Sequence, residues 1–134
     1  MSQLKCVVVT PEATILEQEA DFVVVPLFDG EKGIAPGHSP VIGRLGFGEL
    51  RVTQGNDLHR YYIDGGFVEI VNNVVTILTN HTNVAAELDA SVTRERLSEA
   101  NKMHANEPNQ FLLRDRKIAQ LRAQLRIAEK LPKK

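Results

Sequence analysis

One cysteine, no glycine beyond Gly66 and no long apolar run set the first limits on this chain of 134 residues. Cys6 has no partner for an internal disulfide, which fits a reducing compartment. The apolar stretch Leu4 to Val9 is cut by Thr10 and Pro11 and leads to no small-residue cleavage site, so no signal peptide is expected. Nothing approaches the roughly 18 apolar residues that a membrane-spanning helix needs, and the chain is expected to be soluble or peripheral to a membrane. A net charge of -1 lacks the basic excess usual in nucleic-acid binders. The length allows one domain, or one domain with an appendage, and a core that holds without metal or disulfide.

The near-neutral total hides a division. Residues 1–88 carry 5 bases and 11 acids, a net -6, and residues 89–134 carry 11 bases and 6 acids, a net +5. Every glycine lies between Gly30 and Gly66, whereas the later part has only Pro108 and Pro132 as strong breakers. This punctuation predicts a β domain over 1–88 and a helical domain over 89–134.

Within the first part, Leu4 to Thr10, Phe22 to Val25, Val41 to Leu45, Glu49 to Thr53, Leu58 to Ile63, Phe67 to Val71 and Val74 to Thr79 read as short strands. Asp29-Gly30, Gly55-Asn56-Asp57, Asp64-Gly65-Gly66 and Asn72-Asn73 supply the positive φ that tight hairpins require. The spacing predicts an antiparallel β sandwich or barrel. The run Phe22-Val23-Val24-Val25 is expected to be buried on both faces, as a central strand is.

In the second part Asp89 is of a type that caps a helix N-terminus. Val92, Leu97, Ala100 and Met103 then form a thin apolar stripe, and Asn106-Glu107-Pro108-Asn109 breaks it. Beyond the break, Phe111, Ile118, Leu121, Leu125 and Ala128 recur at a/d-like spacing among Arg114, Arg116, Lys117, Arg122, Arg126 and Lys130. The prediction is a two-helix hairpin appended to the sandwich.

Motifs for catalysis are scarce. There is no Gly-Lys-Ser/Thr, hence no Walker A loop, and Gly43, Gly46 and Gly48 lack dinucleotide spacing and lead into a strand. Gly37-His38-Ser39-Pro40-Val41 begins like a nucleophile elbow, but Val41 stands where the second glycine belongs and Pro40 opposes an immediate helix. His38, His59, His81 and His104 are too far apart for a local metal pair, and Glu17 with Glu19 or Asp57 with Asp64 read as solvated acids. The basic second helix lacks the aromatic interleaving of a nucleic-acid surface beyond Phe111. The densest constraint is Gly30 to Pro40, whose three glycines and two prolines impose a definite path. It reads as a recognition loop or as a long crossover.

That segment, Gly30-Glu31-Lys32-Gly33-Ile34-Ala35-Pro36-Gly37-His38-Ser39-Pro40, resembles a signature of the epsilon subunit of F-type ATP synthases. Gly48-Glu49-Leu50, Gly65-Gly66-Phe67-Val68-Glu69-Ile70, Asn73-Val74-Val75-Thr76-Ile77-Leu78 and Leu88-Asp89 extend the resemblance over essentially the whole chain. It implies a flattened β sandwich of about ten strands with a two-helix C-terminal domain. It also implies a non-catalytic rotor part bound to the gamma subunit and the c-subunit ring, with the alpha/beta hexamer as a transient partner. Gly30, Glu31, Lys32 and Gly33 match the ring-facing segment, and His38, Ser39, Pro40 and Val41 match the gamma-facing one.

The resemblance further implies that the helical pair restrains ATP hydrolysis, with Arg114, Arg116, Arg122 and Arg126 on the inhibitory helix. Its implied location is the cytoplasmic face of a bacterial inner membrane, or the stromal face of a thylakoid. Some relatives hold ATP on these helices through Leu-Asp-x-x-Arg-Ala. Here Val92 stands in place of the arginine, so the expected cofactor is none, with Asp89, Arg96, Arg122 and Arg126 the residues a nucleotide would use. Two other readings fit the bare residues: a small-molecule-binding β domain with a helical tail, and a small hydrolase using Ser39 and His38.

Overall fold

The computed structural model describes residues 3–130, so Pro132 and the terminal lysines of the basic tail lie outside the described residues. Two compact units result, one ending at Asn83 and the other beginning at Val84, a division slightly upstream of the compositional boundary at Asp89.

The first unit is built from β1 (Leu4–Val9), β2 (Thr14–Ala20), β3 (Phe22–Leu27), β4 (Gly30–Ile34), β5 (Val41–Gln54), β6 (Asp57–Val71), β7 (Val74–Leu78) and β8 (Thr82–Val84). Hydrogen bonding orders them β2-β1-β7-β6-β5-β3-β4, with β8 on β6. Along this path all pairs are antiparallel except β1 with β7, which run parallel, a departure from the purely antiparallel expectation.

The two longest strands explain how one hydrogen-bonded sheet makes two layers. Along β5, Leu45 is buried at an odd position, whereas Leu50 and Val52 are buried at even ones. Along β6 the buried parity likewise moves from odd at Ile63 to even at Val68 and Ile70, although the pairing register stays constant from Val41↔Ile70 to Gln54↔Asp57. Successive strand residues face opposite sides, so the ribbon turns one face inward at one end and the other face at the other end. One half of β5 and β6 thus joins β1, β2 and β7 in a first layer, and the other half joins β3, β4 and β8 in a second. Counted by layer, eight strands fill ten strand positions. The separate short strands predicted within 41–53 and within 58–71 are therefore halves of two long ones.

The crossing needs glycine. Gly66 has φ 107°, and a Cβ there would overlap the Leu78 carbonyl. A Cβ on Gly48 would press on Pro26 at 2.7 Å. Between the layers Leu4, Cys6, Val8, Val23, Val25, Ile34, Leu50, Val52, Ile63, Val68, Ile70, Val75 and Ile77 form one core. Burial removes the Cys6 thiol from water and pushes its pKa up from 9.0 to about 12. The Tyr61 phenol is raised as well, first by desolvation and then by the neighbouring Cys6.

Two further expectations are corrected. Phe22 is 41% exposed and Val24 only half-buried, because β3 lies one strand from the sheet edge with one face outward. Thr14–Ala20, absent from the strands expected from sequence, is edge strand β2, and its alternating Leu-Glu-Gln-Glu pattern suits one covered face.

In the second unit a single 3₁₀ turn (Ala85–Glu87) precedes α1 (Ala90–Asn101) and α2 (Pro108–Glu129). Asp89 does cap α1: its carboxylate accepts the Val92 N–H at 3.1 Å. Pro108 opens α2, where its missing N–H costs nothing. The Arg94–Glu129 ion pair at 3.3 Å and the Arg114 Nη1 donation to the Met103 carbonyl at 3.3 Å bracket the two ends of an antiparallel hairpin. The seam differs from the predicted stripes. Thr93 and Ala100 are the buried positions of α1, while Val92 and Met103 are exposed, and Phe111 of α2 is 44% exposed.

Gly66→Ala is expected to destabilise the chain by roughly 3 kcal/mol, since both the positive φ and the Leu78 backbone must give way. A shift below about 1 kcal/mol in denaturant unfolding would contradict the crossing described. Cys6 should resist iodoacetamide at pH 8 in the native chain and react once it is unfolded. Because the native thiol is the weaker acid, its burial contributes stability that is complete below pH 9.0 and is lost as pH rises toward about 12.

Candidate functional site

The Gly30 to Pro40 segment begins as strand. Gly30–Ile34 pairs along β3 from Leu27↔Gly30 to Val23↔Ile34, so only the part after Ile34 is loop. Alternation then separates two neighbours: Glu31 faces outward, whereas Lys32 shares its face with the buried Ile34. The Phe22 ring fills the space above Gly33, where a Cβ would come within 2.6 Å of it. The outward surface of β4 is therefore Glu31 beside an aromatic-covered glycine.

The loop that follows is tied to the far hairpin. Gly37, with φ 85°, donates its N–H to Asn73 Oδ1 at 2.7 Å. Asn72 and Asn73 both have positive φ, the geometry of a two-residue turn between β6 and β7. Asn73 thus makes the turn and clamps the entry to His38, Ser39, Pro40 and Val41. His38 Nδ1 meets the Ser39 carbonyl at 2.7 Å, an exposed backbone contact that does not activate the Ser39 hydroxyl. The hydrolase geometry is not formed here.

From Val41 the chain runs along the outer face of the first layer, where apolar side chains stand unshielded. Ile42 is 76% exposed, Phe67 57% and Leu78 48%. Phe67 is directly paired with Arg44 on one side and Leu78 on the other, and Arg44 lies over the Phe28 ring at 5.9 Å. These exposed apolar side chains share one sheet face with Arg44 and Glu69, and such a face suits contact with another molecule.

The outer face of the second layer is charged. Arg51 Nη1 reaches Glu31 Oε2 at 2.7 Å and Glu49 Oε1 at 3.0 Å, while Glu49 Oε2 takes Arg60 Nη2 at 2.6 Å. The Arg51 guanidinium is held above its ordinary range, chiefly by the Glu31 hydrogen bond. Nearby, buried Asp64 accepts from the Tyr62 hydroxyl at 2.8 Å. The sequence marks Asn73 as a turn residue but shows neither its side-chain hold on Gly37 nor this charge row. The Glu49-x-Arg51 alternation was its one visible sign.

On the helical unit the basic residues divide. Arg114 donates to the Met103 carbonyl and lies over the Phe111 ring at 5.5 Å, so it is engaged within its own hairpin. Arg122 and Arg126 are exposed one turn apart, and Arg116 is exposed on the same helix. Arg96 is exposed on α1, and the Asp89 carboxylate is occupied as a cap. Among the described residues no group of three or more metal-ligating side chains forms. No described helix is long and apolar enough to cross a membrane.

These surfaces sit on a fold with known relatives. A family model described as the β-sandwich domain of the ATP synthase delta/epsilon chain matches residues 3–85. An ATP synthase epsilon chain from Rhodopirellula baltica is 43% identical over 92% of this chain and 96% of the relative. The chain belongs to the ATP synthase epsilon-chain family. An epsilon chain of Leptospira interrogans is 34% identical over 87% of this chain and 91% of its own length, so the family likeness includes the helical part. Among solved structures, a chain of the Euglena gracilis mitochondrial ATP synthase superposes with a TM-score of 0.82 at 22% identity, covering 92% of this chain and 79% of that one. A chain from the central stalk and c-ring of the Tetrahymena thermophila mitochondrial enzyme gives 0.72 at 13%, covering 95% and 97%. At those identities the match is one of fold. The sandwich seen here is the domain that the matching family model describes.

Asn73→Gly keeps the turn but removes the clamp on Gly37. Its expected effect is a loss of about 1 kcal/mol in stability with faster amide exchange at Gly37 and His38. Unchanged exchange at those two amides would show that the side chain does not hold the loop.

Proposed function

We propose that this chain is the epsilon subunit of an ATP synthase, a non-catalytic part of the central stalk that joins the gamma subunit to the c-subunit ring. The observation that carries this reading is the family match over the sandwich, coupled to an exposed apolar row at Ile42, Phe67 and Leu78 that continues from His38, Ser39, Pro40 and Val41. That row suits the gamma subunit, which offers a long permanent interface. The outward face at Glu31 and Gly33 then meets the polar loops of the ring, with Gly30 and Lys32 contributing from the opposite face of the strand. A part that carries torque must not store twist, and two layers sharing two strands are suitably stiff.

The helical pair acts in this reading as a restraint on ATP hydrolysis. Its support is the small set of buried residues in the two helices, Thr93, Ala100, Leu121, Ala123, Ile127 and Ala128, half of them alanine, together with exposed Arg122 and Arg126 that complement an acidic catalytic partner. The seam is thin enough for two packings of the hairpin to lie within a few kcal/mol of each other. The bacterial relatives support a place on the cytoplasmic face of an inner membrane, reached through the complex.

A tagged chain should co-purify with gamma, ring and catalytic subunits; recovery without them would contradict the assignment. Deleting residues 89–134 is expected to keep assembly and coupling while raising latent ATPase activity roughly fivefold, the effect of removing about 1 kcal/mol of inhibition. Hydrolysis unchanged by the deletion would remove the restraint from the account. The helices are expected to bind no ATP in calorimetric titration, because Val92 offers no phosphate donor and Asp89 is occupied as a cap. Tight binding would overturn that part of the reading.

A further inference from the structure

Four charges on the outer face of the second layer run in a row from interior to surface. Side-chain exposure rises from 7% at Glu49 to 17% at Arg60, 28% at Arg51 and 54% at Glu31. Arg51 and Arg60 stand directly opposite each other in the β5–β6 register, where like charges repel. Glu49 answers both. It takes Arg60 on Oε2, through Nη2 at 2.6 Å and Nε at 2.8 Å, and Arg51 on Oε1 at 3.0 Å.

One buried carboxylate against two guanidinium groups leaves a positive charge over, and Glu31 balances it. The Arg51 nitrogen lies closer to Glu31, at 2.7 Å, than to Glu49. Because the inner end is buried and held on two sides, Arg51 is not a freely moving surface arginine. Its fixed position is passed to the outermost member of the row. Glu31 Oε2 is thereby committed, while Oε1 has no hydrogen-bond partner among the described residues, on a strand face it shares with Phe22-covered Gly33.

We infer that Arg51 is a positioning residue, locking the Glu31 carboxylate in one orientation so that Oε1 is a fixed acceptor for a hydrogen-bond donor on the partner that meets β4. A lone glutamate on an exposed strand loses rotamer freedom when it docks, and one already held by Arg51 has lost it beforehand. The same clamp ties β4 across β3 to the β5–β6 ribbon, so load applied at Glu31 enters the strands shared by both layers. This inference rests on the reading that β4 meets the c ring.

The test is rebinding of the catalytic sector, carrying the full-length chain, to membrane vesicles stripped of it. The variants are Glu31→Ala, Arg51→Gln, the double variant and Arg51→Lys. Each single neutral variant is expected to weaken rebinding about tenfold, with the double variant no weaker than either. Arg51→Lys is expected to restore most of the affinity, because one cationic nitrogen performs both contacts. Additive losses in the double variant would mean that Arg51 acts apart from Glu31, and would overturn the inference. Loss on Glu31→Ala without loss on Arg51→Gln would also overturn it while leaving the ring-facing reading in place. Rebinding unaffected by Glu31→Ala would instead remove the ring-facing reading on which it rests.

Discussion

The pairing of β5 with β6 is the constraint from which the rest of the sandwich follows. Their register holds from Val41↔Ile70 to Gln54↔Asp57 without a slip, yet the buried face changes from one side of the ribbon to the other between Leu45 and Leu50. Each layer therefore contains part of the same two strands, and sliding one layer over the other would require breaking that ladder. Gly48 and Gly66 are the places where the ribbon passes closest to Pro26 and Leu78, and side chains there would hold the layers apart. The core, the exposed row at Ile42 and Phe67, and the charge row at Glu49 and Arg51 are all consequences of where the ribbon turns.

The two units contrast in how they are held. The sandwich encloses a continuous core of fully buried Leu, Ile and Val. The buried residues of the hairpin are largely alanine and threonine, with one ion pair, Arg94–Glu129, across its margin. Apolar burial stabilises in proportion to area, so the first resists change and the second yields to it. A sandwich with a large core and a helical pair with a small one suit the rotor subunit with a movable restraint proposed above.

Much of this was legible in the sequence. Short Val/Ile runs and the Asn72-Asn73 and Gly55-Asn56 turns announced the β part, and Asp89 and Pro108 marked the helix starts, since these depend on neighbours close in the chain. What depends on tertiary geometry was not legible. Gly65 and Gly66 looked like turn residues that end a strand, whereas they let β6 continue through a bend. Glu31 and Lys32 were adjacent in a presumed loop, and only the pairing of β4 with β3 shows them facing opposite ways. Arg51, Glu49 and Arg60 come together through cross-strand register, which no local pattern encodes. On α1, thin packing beside α2 selects small Thr93 and Ala100 for the seam and leaves the larger Val92 outside.

The central claim is that the outer face of the first layer is a permanent interface within an assembled rotor. Cysteine placed at Ile42 or Leu78 tests it directly, because native Cys6 is buried and contributes no background. Maleimide labelling should be fast at both positions in the isolated chain and strongly suppressed in the assembled ATP synthase. Equal labelling in the two states would show that this apolar face stays open, and would contradict the account.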